Sequence, residues 1–485
     1  MFAHTITVAT IVLLAVSAAG AQAAEPVFED CHLKGSLDIR RLEAECARFT
    51  VPENPDDPDG KTIELFVARV ASLARDPEPD PLVFITGGPG QAATESFVDM
   101  AAAFQHVLRK RPILLVDQRG TGRSNALECP VLETEDIEEL NVVTATESCL
   151  DSLSGDPRYY TTSVAVRDLD ALRDAIGIDQ LNLYGISYGT RVVLHYLRRY
   201  PERVRTAIID GVAPSHLALG PGIAVDAQSA LDRLIERCEA DTACATAFPR
   251  LPEGFDEIVT TLSTSPVEVT LPDPVTAEIK NVEFGLPAFS TAVRLLSYSP
   301  DTVALLPLLL HRAYVQGDYG PIAAQALMVN DRMVRSLSYG MHNAIVCTED
   351  APFYEISNIE RERIAGTYLG TQMIDLLEAM CAHWPAGLID DDFKTPVVSD
   401  RPVLILSGGA DPVTPAANGV QAAKTLSNNM HIVVTDHGHG VAPLGCTPRL
   451  MAEFLDTGDP SAVDSSCLEI QAPTPFFLTF SGPTP

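Results

Sequence analysis

Short, nearly continuous apolar runs recur along the chain: PLVFIT (81–86), PILLVD (112–117), LNLYG (181–185) and VRTAIIDG (204–211). The same type returns late, in RPVLILSGGAD (401–411) and NMHIVVTDHGHG (429–440). Roughly four to eight apolar residues without polar alternation suit a strand covered on both faces. VPENPDDPDGKTIELFVARVA predicts a turn-rich entry into a further strand at about 62–71. In VAVRDLDALRDAIG the residues Val166, Leu169, Leu172 and Ile176 follow helical spacing, and Gly177 is placed to end the helix. Strands alternating with helices predict an α/β protein with a mostly parallel central sheet.

After Pro214 the rhythm changes. Residues 215–395 read as helices with Pro-rich breaks, as in DAQSALDRLIERCEADTACATAF and TVALLPLLLHRAYVQGD, and strand signals are sparse there. The expected division is a signal peptide at 1–23, a first core part at 24–214, a helical cap at 215–395 and a second core part at 396–485. The closing QAPTPFFLTFSGPTP is Pro-rich, either a surface wrap or an unordered tail.

The opening MFAHTITVATIVLLAVSAAGAQAAEPVF carries an apolar stretch from Ile6 to Ala19 and a small-x-small site at Ala21-Gln22-Ala23. That is the pattern of a secretory signal, although no Lys or Arg precedes the apolar stretch; an uncleaved anchor is the alternative. No other stretch reaches the roughly 18 apolar residues of a membrane span. The expectation is therefore a secreted or periplasmic protein, free of stable membrane association once cleaved. Ten cysteines, at 31, 46, 129, 149, 238, 244, 347, 381, 446 and 467, fit export. Pairing them in order is the simplest of many connectivities. A metal site is not expected, since there is no pair of C-x-x-C units and no H-E-x-x-H. The net charge of −31, from 65 acidic and 34 basic residues, argues against nucleic acid as a partner. Most of these acids make a solvated surface. A few are available to a cationic substrate such as a peptide amino terminus.

Against this background one stretch is specific. Gly185-Ile186-Ser187-Tyr188-Gly189 lies where an apolar run meets a helical pattern. A sharp strand-to-helix turn lifts the serine oxygen clear of the sheet, and glycines two residues to either side avoid collision. It also leaves backbone N–H groups at the helix start, where negative charge is favoured. A serine hydroxyl is a weak nucleophile that needs a base and an orienting carboxylate. Asp411 and His439 both follow late strand signals, and the order Ser187, Asp411, His439 is that of the α/β-hydrolase fold. His437 competes as the base; His439 is preferred because Gly438 and Gly440 flank it. For an oxyanion hole, the Tyr188 N–H needs a second donor from FITGGPGQ. Pro89 has no N–H, leaving Gly87, Gly88 or Gly90, of which Gly88 is chosen.

GGPG, VDQRGTGRSN, YGISYGT and GGADPVTP…GHG together resemble the proline iminopeptidase branch of α/β-hydrolases, and within peptidase family S33 its secreted tripeptidyl aminopeptidase-like members. AIVCTED (344–350) and CAHWPAG (381–387) resemble segments near the end of that group's cap. The resemblance implies a serine exopeptidase acting on peptides with a free amino terminus, without metal or organic cofactor. Ser187 would be the nucleophile, His439 the base and Asp411 its orienter, with Tyr188 and Gly88 supplying oxyanion donors. Asp117 and Arg119 would brace loops. The chain departs from the shorter iminopeptidases at Thr86, where they carry histidine, so tight proline selectivity is not carried over.

An aminopeptidase must bind a charged amine, and a carboxylate away from water does so well. Glu349 and Asp350, beside Cys347, are the candidates, with solvated surface acids as the alternative reading. Trp384, the only tryptophan, either lines the pocket or packs in the cap core. A carboxylic ester hydrolase would use the same triad and is the main alternative function. A fold kept only for binding would be expected to lack a triad member. A dehalogenase or epoxide hydrolase would need an aspartate at position 187.

Overall fold

The computed structural model describes residues 25–36, 39–130, 141–273, 276–469 and 471–482, so the expected signal peptide lies outside the described residues. The strands are β1 (Glu29–Lys34), β2 (Arg41–Pro52), β3 (Thr62–Val70), β4 (Leu82–Ile85), β5 (Ile113–Val116), β6 (Leu181–Ile186), β7 (Val204–Asp210), β8 (Val267–Pro272), β9 (Ile279–Phe284), β10 (Val403–Gly408) and β11 (Asn429–Val434). Nine form one sheet in the order β1-β2-β3-β5-β4-β6-β7-β10-β11. From β5 to β11 all neighbours are parallel. At the other edge β1, β2 and β3 form an antiparallel meander that joins β5 antiparallel. This is the mostly parallel sheet that the apolar runs predict.

The runs are apolar throughout because both faces are covered. β4, β6, β7 and β10 are buried along almost their whole length. Successive side chains enter opposite layers. Val83 and Leu183 pack with Val192 and Tyr196 on one side, while Phe84 and Tyr184 stack on each other and meet Phe97 and Phe104 on the other, edge-on where Phe104 is concerned. The helix Thr162–Ala175 covers the sheet with its apolar stripe and stops as expected. Gly177 takes φ 70°, its N–H donates to Asp174 O, and the Ile178 N–H donates to Arg173 O, which together make a Schellman ending.

Between β7 and β10 lie helices Ile223–Ala240, Leu251–Thr264, Leu286–Leu296, Leu306–Gln316 and Gly320–Ser336, with the β8–β9 ribbon beside them. They share an apolar cluster of their own, and Phe476 of the closing segment joins it, so that segment wraps the surface. The next helix, Tyr339–Glu349, returns to the main sheet: its Met341, Ala344, Ile345 and Cys347 are buried in the layer beneath that sheet, as is Trp384, whereas Tyr368 and Leu369 further on rejoin the cap's cluster. Trp384 thus packs in the core of the sheet rather than in that of the cap.

The cysteines pair in sequence order: Cys31–Cys46, Cys129–Cys149, Cys238–Cys244, Cys347–Cys381 and Cys446–Cys467. Each closes a short loop, a constraint of the kind that contributes about 2–4 kcal/mol. Among the described residues no helix is long and apolar enough to cross a membrane.

Candidate active site

β6 ends at Ile186 and helix Tyr188–Arg199 begins two residues later. Ser187 between them has φ 56° and ψ −126°, a conformation that costs a non-glycine residue about 1–3 kcal/mol. Both flanking glycines are forced by contact. A Cβ on Gly185 would lie 2.4 Å from Gly189 O, and one on Gly189 would lie 2.4 Å from Ile85 O and 2.5 Å from Thr86 O. The Ser187 N–H donates to Asp210 O at 2.9 Å. Thr190 Oγ1 donates to Ser187 O at 2.6 Å and accepts from the Ala213 N–H at 2.8 Å. Residues Tyr188 to Leu197 are all buried, whereas Ser187 is only half-buried.

Asp411 and His439 follow β10 and β11. His439 Nδ1 lies 2.8 Å from Asp411 Oδ2. Because a carboxylate only accepts, Nδ1 carries the proton and Nε2 is left as the acceptor. Asp411 is itself fixed: Oδ1 accepts from the N–H groups of Val413 (3.0 Å) and Thr414 (2.9 Å), and Oδ2 accepts from Thr414 Oγ1 (2.8 Å). Burial disfavours a charged imidazole, yet the charge and hydrogen bond of Asp411, with the charge of Asp210, outweigh it and raise the His439 pKa.

The histidine loop lies on the turn that carries Ser187. A Cβ on Gly440 would be 2.8 Å from Ile186 Cδ1, and one on Gly211 would be 3.0 Å from His439 Cε1. From above, Tyr298 accepts the His439 N–H on its carbonyl oxygen at 2.8 Å and sets its ring edge-on to the imidazole, 5.0 Å between centroids. The Ser297–Tyr298 backbone comes so close to Gly438 that a Cβ there would be 2.4 Å from Tyr298 O. His437 is also buried, but the hydrogen bond to Asp411 belongs to His439.

The Gly87–Gly90 loop also closes on the serine. A Cβ on Gly87 would lie 2.8 Å from Ser187 Cβ. Gly88 and Gly90 take φ 105° and 106°. The Ser338 N–H donates to Gly90 O at 2.9 Å, and His342 Nδ1 lies 3.2 Å from Pro89 O. Tyr188 opens its helix, where the first N–H groups have no partner within the helix. Asp117 holds neighbouring backbone by accepting from the N–H groups of Thr94 (2.9 Å) and Arg123 (3.2 Å). Buried Arg119 grips Asp168 at 2.6 and 2.7 Å and donates to Glu53 O at 2.7 Å. Both are braces, as the sequence suggested.

Glu349 and Asp350 require a correction. They are neither at a substrate's amine nor solvated: their relative exposures are 0% and 1%. Asp350 forms a two-pronged pair with Arg191, four residues beyond Ser187, at 2.8 and 3.0 Å, and accepts from the Leu219 N–H at 2.8 Å. Glu349 lies 3.4 Å from Arg191 and accepts from the N–H (2.7 Å) and the hydroxyl (2.9 Å) of Thr162. Thr162 Oγ1 in turn meets the Tyr188 hydroxyl at 2.7 Å. Burial, only partly offset by Arg191, raises the Glu349 pKa to about 7. These two acids hold the helix behind the serine.

Sequence reasoning also missed Arg191, Thr414, Tyr298 and Asp210. Of these, Asp210 alone had a local signal, an acid closing an otherwise apolar strand.

A parallel sheet carrying a strained serine at a strand-to-helix turn, with an Asp–His pair on the last two strand ends, defines an α/β-hydrolase. Residues 80–247 match the family described as alpha/beta hydrolase fold, and residues 366–467 match the one described as TAP-like protein. The chain is 26% identical over 429 residues, 79% of each chain, to the serine protease Hip1 of Mycobacterium tuberculosis. It is 28% identical over 218 residues to the tripeptidyl aminopeptidase of Streptomyces lividans, 41% of this chain and 40% of that one. To the proline iminopeptidase of Aeromonas sobria it is 31% identical over 170 residues, 34% of this chain and 37% of that one. The chain has the α/β-hydrolase fold and is similar, by these matches, to S33-like members of it.

Proposed function

We propose that the protein is an exported serine aminopeptidase that releases residues or short peptides, tripeptides included, from free peptide amino termini. The observation that carries this reading is the Asp411–His439 pair, 2.8 Å apart, on a loop packed against Ile186 and Gly211 beside Ser187. In the proposed reaction Ser187 Oγ attacks the scissile carbonyl carbon while His439 Nε2 takes its proton. The oxyanion rests on the N–H groups of Tyr188 and Gly88, His439 returns the proton to the leaving amine, and water repeats the sequence on the acyl-enzyme. The cap would be the insertion at 215–395 between core parts 24–214 and 396–485, with 1–23 as the export signal. Peptidases among the relatives and five disulfides support the peptide substrate and the exported location; the acidic surface speaks against nucleic acid.

With Glu349 and Asp350 engaged elsewhere, Asp226 of cap helix Ile223–Ala240, close enough to Asp411 to feel its charge, is our candidate for the substrate amine. It is half-buried. Burial first, then the nearby charge of Asp411, raises its pKa to about 6, against Arg363. An ammonium would relieve that cost.

A panel of chromogenic amides of one to three residues, with free and acetylated amino ends, tests the reading. Ser187→Ala should abolish turnover with the fold intact, acetylation should suppress hydrolysis, and Asp226→Asn should raise KM for free-amine substrates alone. Full activity of Ser187→Ala would refute the nucleophile. Equal rates on free and blocked ends would favour the ester hydrolase or an endopeptidase.

A further inference from the structure

We infer that Asp210 is a positioning residue that ties the serine and the histidine to each other and sets a second negative charge against the imidazole. The inference rests on the serine-hydrolase reading above. β7 ends at Asp210, beside the nucleophile strand β6. Its main-chain oxygen accepts the Ser187 N–H at 2.9 Å. Its carboxylate turns the other way, to the segment directly after His439. The Val441 N–H lies 2.9 Å from Oδ1 and 3.0 Å from Oδ2, and the Ala442 N–H lies 2.9 Å from Oδ2. Tyr184, from the nucleophile strand itself, donates its hydroxyl to Oδ2 at 2.9 Å. One residue thus ties the nucleophile strand and its serine turn to the histidine loop, more than 230 positions later in the chain.

The chemistry of the donors explains why an acid stands here. Two backbone N–H groups and a phenol, all neutral, converge on a side chain with no exposure to solvent. Asparagine would turn an NH2 toward one of those donors and lose that contact. No lysine or arginine pairs with Asp210 among the described residues, so its charge is not cancelled locally. A buried carboxylate held only by neutral donors is costly unless a charge develops nearby. That charge is the imidazolium formed when His439 accepts the serine proton. Burial pushes the Asp210 carboxyl up, while the N–H donors, Tyr184 and His439 pull it back.

Other groups bear on the same imidazole. Asp411 is hydrogen-bonded to it, and Tyr298 lies edge-on. Arg294 of helix Leu286–Leu296, 3.1 Å from the Tyr298 hydroxyl, opposes the two carboxylates. Asp226 faces Asp411 from the cap. Asp411 holds the imidazole directly, whereas Asp210 acts on it through the backbone that follows it and through its charge.

The test is the pH profile of kcat/KM for Asp210→Asn, on a free-amine peptide anilide and on a small activated ester. The expected result is a kcat at least about tenfold lower on both substrates. The acid limb should also move to lower pH by about half a unit, because losing a negative charge makes imidazolium less favourable. A residue that only braced the fold would lower the rate without moving the limb. An unmoved limb or an unchanged kcat overturns the inference. If Asp210→Asn has no cooperative thermal transition, Tyr184→Phe carries the test: it leaves the carboxylate's charge with one neutral donor fewer to share it, and a smaller limb shift in the opposite direction, to higher pH, is expected. A limb that stays put or moves to lower pH there overturns the inference equally. Labelling by a fluorophosphonate separates the two levels. A native protein that is not labelled at Ser187 sinks the hydrolase reading, whereas labelled native protein with an unmoved limb in the variant sinks the Asp210 role alone.

Discussion

Replacing Asp350 by asparagine decides whether this acid belongs to the substrate or to the scaffold. In the native protein the guanidinium of Arg191 is gripped by Asp350 at 2.8 and 3.0 Å, with side-chain exposures of 0% and 2%. The nearest other acid is Glu349, at 3.4 Å. Asparagine keeps the shape and one acceptor, so the Leu219 N–H retains a partner, but Arg191 loses its bidentate anion. Breaking a buried pair from one side costs about 3–5 kcal/mol. Because Glu349 remains, the expected loss lies at the low end, about 3 kcal/mol.

The assay is thermal and denaturant unfolding of the variant beside the native protein, with kinetics on a free-amine peptide anilide and a small activated ester. Since Arg191 stands on the helix that follows Ser187, any loss of rate should appear equally on both substrates. The double variant Arg191→Met/Asp350→Leu should be less destabilised than Asp350→Asn, because it removes the guanidinium together with its bidentate anion and leaves only Glu349, whose pKa is already raised to about 7, to take up a proton. Native stability together with a higher KM confined to free-amine substrates would refute this reasoning and return Asp350 to the substrate.

Two further outcomes follow from the same contacts. Glu349 has its pKa raised from 4.5 to about 7, so the stability it contributes is complete at low pH and is lost as pH rises through about 7. Glu349→Gln should therefore gain stability relative to the native protein by about 2–3 kcal/mol between about pH 5 and pH 8, read as the difference between the two unfolding curves; a pH-independent difference refutes the shift. Gly189→Ala would place a Cβ 2.4 and 2.5 Å from two backbone oxygens that cannot swing aside. It should lower stability by about 1–3 kcal/mol and abolish fluorophosphonate labelling; native labelling would show that the elbow tolerates a side chain.

What the sequence disclosed was whatever is written locally. The six parallel strands are legible because burial on both faces leaves no polar alternation. The serine turn is legible because the G-x-S-x-G pattern itself is local: Gly185 answers a contact with Gly189 four residues on, while Gly189 answers the end of the neighbouring strand β4. The meander strands β1 and β2 were not anticipated, since EDCHLK, the edge strand, and its neighbour RLEAECARFTVP are half-exposed and studded with charge. The β8–β9 ribbon escaped for the same reason, with only Val269, Leu271 and Phe284 fully buried. Glu349 and Asp350 were misread because their partner, Arg191, is 158 and 159 positions away. Nothing in TED or in GTRVV marks a fully buried ion pair. Arg191 itself sits on a helix whose residues Tyr188 to Leu197 are all buried, so no polar face sets it apart.

The position of these buried charges bears on how the strained serine persists. A φ of 56° is held only if the surroundings over-determine it. Four constraints do so here. Gly189 is pressed against Ile85 and Thr86, Thr190 bonds back to Ser187 O, and Asp210 O takes the Ser187 N–H. One turn further on, Arg191 anchors the helix to the Glu349–Asp350 pair. The first three act on the turn directly, while the fourth stops the helix from rotating away and relaxing it. Asp350 and Asp210 therefore support the same turn from its two ends. Loss of Asp350 should lower every rate by one common factor, whereas loss of Asp210, which also faces the imidazole, should change how the rate depends on pH. A common factor in both variants would mean that the elbow needs bracing and nothing more.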